Sequence, residues 1–430
     1  MTSLLKNFSS KCSDFTGLLY FSLVATIYYA KWILLPSGEI LQNGAISVEG
    51  CRIASIGSRS RIKRRSSDHI VNAGDLFLLP GLINMHIHLD EGVVRGIPKD
   101  PEETFASWIT KKNSRLKQAS PETQQTTIRL GARELLSHGI TTVVDSSRSG
   151  MSASVLRNEP IRLCVLHEVH PDDAIQEEAV INTLETHIAL NEKSYCTGVG
   201  PYALFSLSPM HHREVIELAS KKKLLWASHL AESSEELQAF SEQTGDLYFH
   251  ITRKKEWPYG KTRGPMNTAL ANDLVPDNAV LFHCNYVNGQ ELEQLAAKNV
   301  SIVQCFQYTS ALGHKMFPLD VARNRGISLC VGTESIVYSE SMDLLDELYL
   351  AKRSYPHIPA GEMIRWVTAN AAHALGAGDI LGNLDEGKLA DIIGVHIQHD
   401  IGDDLLEQLI LGESEVRLVI VNGEEVIADY

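Results

Sequence analysis

Eight short apolar segments that alternate with helical patterns constrain the fold of this 430-residue chain more than any other feature. The segments occupy residues 82–88, 140–146, 161–169, 198–208, 224–230, 278–284, 299–305 and 326–332. Between them, stretches such as TQQTTIRLGARELLSHG carry apolar residues at the three-to-four spacing of an amphipathic helix. Regular alternation of strands and helices over most of a chain is typical of an α/β protein with a parallel sheet. Eight repeats predict a (β/α)8 TIM barrel.

Both ends of the chain are β-rich instead. Residues 28–79 contain short strand patterns separated by turn residues, and residues 380–430 end in strand formers around an Asn422-Gly423 pair, which is typical of a type I′ hairpin. Neither block is large enough to bury a core alone. We therefore expect one discontinuous β-sandwich domain from 28–79 and 380–430, a barrel from 80–379, and an N-terminal extension over 1–27.

An uncharged stretch from Phe15 to Ala30 leaves two interpretations of the N-terminus open. It is shorter than the roughly 20 residues of a membrane-spanning helix. A signal peptide or anchor is one interpretation. Because Ile27–Leu35 is rich in β-branched and aromatic residues and runs into a Pro-Ser-Gly turn, we favour a strand there and expect no stable membrane association.

The net charge and the cysteine content limit which binding partners and which cellular compartment are expected. The net charge of −14 opposes attraction to a phosphate backbone, so nucleic acid is not an expected partner. Seven dispersed cysteines without a C-x-x-C pair suggest neither a disulfide framework nor a thiolate zinc site. We expect a cytoplasmic protein that acts on a small molecule.

Histidines and carboxylates follow several of the predicted strands. The residues concerned are His86, His88, His229, Glu232, His283 and Glu334. In a barrel of this kind the carboxyl ends of all strands meet on one face, which carries the active site. Two histidines at positions i and i+2 leave the same side of a strand and can reach one ion. The joint placement predicts a metal site.

Seven motifs in this order resemble the amidohydrolase superfamily, and within it the cytosine deaminase-like branch of adenosine, S-adenosylhomocysteine and guanine deaminases and triazine hydrolases. They are LLPGLINMHIHLDEGVVRG, HGITTVVD, SHLAES, LFHCNYV, LCVGTES, VTANAAHALG and LDEGKLADIIGV. The resemblance implies that His86, His88 and His229 bind the metal. It further implies that Glu232 shuttles protons, that His283 orients the attacking water, and that the carboxylate after the eighth strand both ligates the metal and accepts a proton.

The chain departs from the family pattern at that last position. The usual motif is G-T-D-S, whereas this chain has Glu334, whose carboxylate reaches about 1.5 Å further. The fourth segment also lacks the lysine that bridges two metals in binuclear relatives, so we expect a single ion. Zn²⁺ is favoured, with Fe²⁺ or Mn²⁺ as alternatives, since this donor set does not discriminate sharply.

The implied activity is hydrolytic deamination. Two segments, ESMDLLDELYLAKRS and YYAKWILLPSGEILQNGAISVEG, look closest to aminodeoxyfutalosine deaminase-like members. We therefore expect ammonia release from a 6-aminopurine nucleoside-like substrate of the aminodeoxyfutalosine or adenosine/S-adenosylhomocysteine type. Alternatives are hydrolysis of a guanine, triazine or cyclic amide, or a metal-binding protein that lost turnover because of Glu334.

Substrate contacts are harder to assign. The family often has C-P-x-S-N after the seventh strand, whereas this chain places Gln307 and Tyr308 there, where they could meet the substrate or line the rim. Arg148 could pair with a substrate carboxylate or be an ordinary loop arginine. By analogy with family members, the protein could be a homodimer.

Overall fold

The computed structural model describes residues 24–97, 100, 103–170, 179–191, 194–337, 341–398 and 404–430. Within these residues a parallel sheet runs in chain order from β6 to β13. Its strands are β6 Leu82–Ile87, β7 Ile140–Ser147, β8 Arg162–Val169, β9 Cys196–Pro201, β10 Leu225–Leu230, β11 Val280–His283, β12 Ser301–Gln304 and β13 Ser328–Val331. Each corresponds to one of the eight predicted segments.

Backbone hydrogen bonds close this sheet into a barrel between its first and last strands. His86 O accepts hydrogen bonds from Thr333 N and Glu334 N, both at 3.0 Å, and His88 N donates to Glu334 O at 2.7 Å. The seam therefore joins the segments that carry three of the predicted metal ligands. Their relative position is set by the main chain, before any side-chain contact.

Helices follow most of the barrel strands. In the described residues they are α1 Phe105–Gln118, α2 Pro121–Ser137, α3 Met151–Val155, α4 Val180–Leu190, α5 Pro209–Lys222, α6 Ser234–Ser241, α7 Gly245–Thr252, α8 Pro265–Ala271, α9 Gly289–Ala297, α10 Phe306–Ala311, α11 Leu319–Asn324, α12 Leu344–Ser354, α13 Ala360–Trp366, α14 Ala369–Ala374 and α15 Leu405–Leu411. Short 3-10 helices cover Leu89–Val94 and Leu204–Ser206.

Local sequence explains where these helices start. The side chain of Ser120 accepts a hydrogen bond from Thr123 N at the start of α2, and Pro121 takes the first helical position. Asn288 and Glu291 form a reciprocal capping box at the start of α9. These residues mark where α2 begins after α1 and where α9 begins after β11.

The fourth predicted segment, 198–208, is too long. The strand β9 ends at Pro201, and the chain then turns through a 3-10 helix in which Ser206 N donates to Ala203 O. An apolar run does not by itself distinguish a strand from a buried turn, because both exclude water. The turn places Tyr202 beside the barrel mouth.

The second sheet is built from both ends of the chain. In the described part it has the order β16-β15-β14-β5-β1-β2-β3, with β4 paired to β1. The bounds are β1 Thr26–Leu34, β2 Ile40–Glu49, β3 Arg52–Ser58, β4 His69–Asn72, β5 Phe77–Pro80, β14 Ile392–Ile397, β15 Ser414–Val421 and β16 Glu424–Ala428. The expected hairpin joins β15 and β16 through Asn422 and Gly423, whose φ values are 52° and 80°.

The predicted fold class, a TIM barrel with a β unit from both chain ends, is confirmed. The strand expected at 27–35 is also confirmed, as β1. Residues 1–23, most of the predicted extension, lie outside the described part of the chain. None of the described helices is both long enough and apolar enough to cross a membrane. Five cysteines are free and buried, and Cys51 is disulfide-bonded.

Candidate metal centre and active site

Four of the predicted residues converge at the carboxyl end of the barrel. They are His86, His88, His229 and Glu334, each buried, and each offers one ligand atom within 4.8 Å of the others. His86 lies near the end of β6 and His229 near the end of β10. His88 directly follows β6, and Glu334 lies three residues after the end of β13. Three imidazoles and one carboxylate suit a divalent ion such as zinc.

The distances between these atoms describe a compact group. His86 Nε2 lies 2.6 Å from Glu334 Oε2 and 3.1 Å from His229 Nε2. His88 Nε2 lies 3.7 Å from Glu334 Oε1 and has no hydrogen-bond partner although it is buried. A buried nitrogen aimed into such a group, without a partner, is satisfied if a cation lies there.

The protonation states also suit metal binding. Burial lowers the pKa of His86 to about 4 and that of His88 well below its usual value, so both rings are neutral at pH 7. Burial alone would raise the pKa of Glu334, but the imidazoles of His86, His229 and His283 hold it well below its usual value. Neutral imidazole and ionised carboxylate are the forms that bind a metal.

Hydrogen bonds behind two of the rings fix their orientation. Ser146 Oγ lies 3.0 Å from Nδ1 of His86. The Nδ1 atom of His229 lies 2.8 Å from Tyr202 O, to which it donates. Because the Nδ1 atoms are engaged on the outer side, the Nε2 atoms are directed at the centre. The Phe282 ring also stacks on His86, with centroids 3.7 Å apart.

The two predicted non-ligand residues lie at the same end of the barrel. His283 follows from β11, and its Nε2 atom is 3.4 Å from Glu334 Oε2. Glu232 accepts a hydrogen bond from the hydroxyl of Tyr308 on its Oε1 atom. The backbone of Glu232 is held as well, since its N–H donates to Glu236 Oε2 at 2.7 Å. A carboxylate and an imidazole thus lie at the same end of the barrel as the four candidate ligands.

The three predicted substrate residues have different surroundings. Tyr308 is buried against Glu232, as described above. Gln307 is half-buried, and its side-chain amide donates to Glu347 Oε1 at 3.2 Å. Arg148, also half-buried, lies close enough to Asp90 for its charge to affect that carboxyl. None of these contacts tests whether the residues bind substrate.

One residue of the site was missed. Glu168, in the third barrel strand β8, is buried, and its carboxylate lies 3.6 Å from His229 Nδ1 and 3.9 Å from His88 Nδ1. Its Oε2 atom is hydrogen-bonded to His170 at 3.3 Å, whereas its buried Oε1 atom has no partner. Burial, followed by the nearby charge of Glu334, raises the pKa of Glu168 well above its usual value. This carboxylate is the second-last residue of the third segment, 161–169, and its place near the end of a strand was the available signal.

Backbone conformation at the site is unusual. Glu334, His283 and Ala231 all adopt positive φ, at 58°, 66° and 54° respectively. This left-handed region is uncommon for residues other than glycine, and such strain clusters at functional sites. The conformation turns the chain sharply where strands end, which lets the side chains of Glu334 and His283 meet above the barrel.

Proteins named for their activity are similar in sequence to this chain over most of its length. A 5-methylthioadenosine/S-adenosylhomocysteine deaminase from Halothermothrix orenii is 25% identical over 411 residues, covering 91% of this chain and 90% of the relative. A 5'-deoxyadenosine deaminase from Methanothrix thermoacetophila is 24% identical over 419 residues, covering 92% of each.

Solved structures share the fold. An adenosine deaminase from Xanthomonas campestris with bound zinc superposes with a TM-score of 0.82 at 18% identity, covering 94% of this chain and 93% of that one. Helicobacter pylori aminofutalosine deaminase, in complex with methylthio-coformycin, gives 0.80 at 20% identity, covering 94% and 100%. Since the model of the amidohydrolase family matches residues 77–426, most of the chain, this protein belongs to the amidohydrolase family.

Proposed function

We propose that this protein is a metal-dependent aminohydrolase that removes the amino group of a 6-aminopurine nucleoside-like substrate as ammonia. The substrate we favour is of the aminodeoxyfutalosine or adenosine/S-adenosylhomocysteine type. The observation that carries the proposal is the buried group of His86, His88, His229 and Glu334, with Glu232 and His283 at the same end of the barrel. Deaminases of adenine nucleosides among the relatives support the choice of substrate.

The four ligands would hold one divalent ion, for which zinc is the first choice because similar structures contain it. When bound, such an ion lowers the pKa of a water molecule from about 15.7 towards 7 and so makes it nucleophilic at neutral pH. The neighbouring strand β9 contains no lysine, which agrees with a single ion.

The residues of the chain handle the protons. Glu334 is ionised because the neighbouring imidazoles keep its pKa low, so its carboxylate can accept a proton from the attacking water, while His283 positions the water oxygen. The oxygen forms a bond to C6 of the purine as Glu232 protonates the adjacent ring nitrogen. The C6–N bond then breaks and the amino group leaves as ammonia. Of the two protons of water, one ends on the ring nitrogen and the other on ammonia.

A substrate panel tests the proposal. Zinc-loaded protein is incubated with adenosine, S-adenosylhomocysteine, 5'-deoxyadenosine and aminodeoxyfutalosine, and in parallel with guanine, a triazine and a cyclic amide, and ring opening or the release of ammonia is measured. We expect turnover of at least one adenine nucleoside. Glu232→Gln protein, prepared identically, controls for a contaminating deaminase. No ammonia from any adenine nucleoside would exclude the proposed substrate class, and turnover of another ring would replace it.

Glu334 raises the alternative of a metal-binding protein without turnover. Glu334→Asp shortens the carboxylate by about 1.5 Å, which moves it away from His86 and His283. We expect the Asp variant to keep its zinc and to lose about 10- to 100-fold in kcat. If the wild-type protein binds zinc but only the Asp variant releases ammonia, the chain as it stands is not the enzyme we propose.

Several further expectations from the sequence are proposals as well. Substrate contacts by Arg148 and Gln307, the domain limits 28–79 with 380–430 and 80–379, a cytoplasmic location and a homodimer are proposals, and Tyr308 is the third candidate for a substrate contact. For Arg148, replacement by Met should raise KM for a substrate that bears a carboxylate and leave KM for adenosine unchanged.

A further inference from the structure

Tyr308 occupies a position that links the two proposed acid–base residues. Its hydroxyl donates a hydrogen bond to Oε1 of Glu232, 76 residues earlier in the chain. Its ring stacks on the imidazole of His283, with centroids 5.0 Å apart and an interplanar angle of 29°. The side chain is buried, with 3% of its surface exposed. One aromatic residue therefore contacts both groups at once.

The helix that carries Tyr308 is itself anchored. α10 begins at Phe306, and the buried carboxylate of Glu347 accepts hydrogen bonds from Phe306 N at 2.5 Å and from Gln307 N at 3.2 Å. These are the first backbone donors of the helix, which lack partners within it. Because the start of the helix is fixed, the phenol two residues further on has a defined position.

Besides the ring stacking of Tyr308, His283 has a contact with the strand before this helix. Gln304, the last residue of β12, donates a side-chain hydrogen bond to the carbonyl oxygen of His283. His283 has a left-handed backbone, which surrounding contacts must maintain. The end of the seventh strand thus fixes the backbone of His283 through Gln304 and its ring through Tyr308.

We propose that Tyr308 is a positioning residue that holds Glu232 in the orientation needed for proton transfer. A phenol has a single hydroxyl proton to donate, and here that proton goes to Oε1 of Glu232. The carboxylate is thereby held with Oε2 directed to the substrate. The stacking on His283 sets the position of the phenol relative to the attacking water. Tyr308 then acts on turnover through Glu232, without touching the substrate.

This inference rests on the proposed hydrolytic function but not on the purine substrate. Any ring substrate that the wild-type protein turns over can be used to test it. If no substrate is turned over, the proposed function fails and not the role of Tyr308 in particular. If turnover exists and Tyr308 does not influence it as described below, this inference alone fails.

A double-mutant cycle separates positioning from other roles. Tyr308→Phe removes the hydroxyl and keeps the ring, so we expect kcat to fall about 10- to 100-fold with KM within about twofold of wild type. In a Glu232→Gln background the same change should alter kcat by less than about twofold, because the group that it orients no longer transfers protons. Zinc content should stay at one per chain in all variants.

Tyr259→Phe is the matched control. Tyr259 is also buried, and its hydroxyl lies 3.1 Å from the carbonyl oxygen of Leu204. Its loss removes a buried tyrosine hydroxyl without a contact to Glu232, so kcat should stay unchanged.

Three results would overturn the inference. An equal loss of kcat from Tyr308→Phe in both backgrounds would mean that the phenol does not act through Glu232. A rise in KM with kcat unchanged would make Tyr308 a substrate contact instead. A Phe variant that does not fold, while the Tyr259 control does, would make the hydroxyl structural.

Discussion

The ligand residues combine ordinary chemistry with uncommon backbone geometry. Glu334 replaces the aspartate of the family motif, and it adopts a left-handed conformation in which aspartate is better tolerated than glutamate. Its longer side chain nevertheless reaches His86 Nε2 at 2.6 Å. The longer side chain thus still brings its carboxylate to the three histidines, so all four candidate ligands are present.

Glu168 gives the first prediction at the scale of single residues. Its carboxyl group lies 3.6 Å and 3.9 Å from the Nδ1 atoms of two candidate ligands, His229 and His88. Burial raises its pKa, but a cation at the centre would favour the ionised form, and the negative charge would in turn favour the bound cation. Glu168→Gln keeps the shape and removes that charge. We expect zinc affinity to fall about 10-fold or more, measured by competition with a chelating dye at pH 7.

The control for this prediction is Glu291→Gln, which alters another buried carboxylate, one that accepts a hydrogen bond from Asn288 N in the capping box of α9. It should leave zinc affinity unchanged. An identical affinity for wild type and Glu168→Gln would show that this carboxylate does not contribute to the metal centre.

Sequence patterns identified the ligands more readily than the residues that support them. The four candidate ligands lie at or just after the carboxyl ends of strands, where the active site of such a barrel is found, so their position identifies them: His86, His88, His229 and Glu334. Glu168 also lies near the carboxyl end of a strand, but it was not among the predicted site residues. The contact of Tyr308 with Glu232 joins residues far apart in sequence and has no local signal.

Among the elements, the short helix α10 depends most on a tertiary contact. It spans only Phe306–Ala311, too short to be stable alone, and Glu347 from α12 satisfies its first backbone donors. Glu347→Gln replaces one of two acceptor oxygens by an NH2 group, which donates and cannot accept. We expect a loss of about 1–3 kcal/mol in the free energy of unfolding in urea and a lower kcat, since Tyr308 would lose its fixed position.

Glu415→Gln is the comparison for α10. This carboxylate is 61% exposed and pairs with Arg417, so its loss should change the free energy of unfolding by less than about 1 kcal/mol. If the two substitutions lowered the free energy of unfolding equally, the hydrogen bonds of Glu347 to α10 would stabilise the fold no more than an exposed ion pair does.

Strands were predictable where an apolar run follows a glycine, as at Gly81 before 82–88 and at Gly139 before 140–146. The fourth segment was predicted too long because Tyr202 to Leu207 are as buried as a strand although they form a turn. Burial fixes which residues are apolar but leaves the backbone hydrogen bonds undetermined, and these decide where β9 ends.

For the whole molecule, a buried ion pair connects the barrel to the sheet of chain ends. Arg162, the first residue of β8, donates to Asp391 Oδ1 at 2.8 Å and to Asn422 Oδ1 at 2.7 Å. Only 1% of the Arg162 side chain and 4% of the Asp391 side chain are exposed. The contact lies at the start of the strand, so it stabilises the barrel at the end opposite the metal ligands.

Asp391→Asn would leave the Arg162 guanidinium buried without a counter-charge. We expect the free energy of unfolding in urea to fall by about 3–5 kcal/mol. The double change Arg162→Met with Asp391→Asn removes both charges and should cost less than Asp391→Asn alone. A double variant whose loss equals the sum of the two single losses would contradict this account of the contact.

A buried histidine makes stability depend on pH. His212 in α5 packs on Trp226, and burial lowers its pKa to about 3. In the unfolded chain the imidazole of His212 binds a proton near pH 6.5, whereas in the folded chain it stays neutral. The unfolded state is therefore favoured as the pH falls below 6.5. We expect this residue to lower the free energy of unfolding by about 3 kcal/mol between pH 6.5 and pH 4, at about 1.36 kcal/mol for each pH unit.

His212→Phe should remove that share of the pH dependence in urea unfolding, whereas His69→Phe, at an exposed position, should leave it unchanged. If wild type and His212→Phe lose stability in parallel over this range, His212 is not neutral in the folded protein.

At this scale the sequence predicted the architecture well, because alternation within the barrel and the Asn422-Gly423 hairpin are local patterns. The joining of both ends into one sheet was inferred from their likeness. The Arg162–Asp391 contact, which ties that sheet to the barrel, was not predictable, since no pattern relates residues 229 positions apart.

The most direct test of the central claim is a zinc titration of turnover. Protein freed of metal by a chelator is supplied with increasing zinc, and ammonia release from the best adenine nucleoside is measured at each step. We predict no release without metal and a linear rise that stops at one zinc per chain. Protein that binds no zinc, or that binds it without releasing ammonia, would contradict the account, as would a rise that continues to two equivalents.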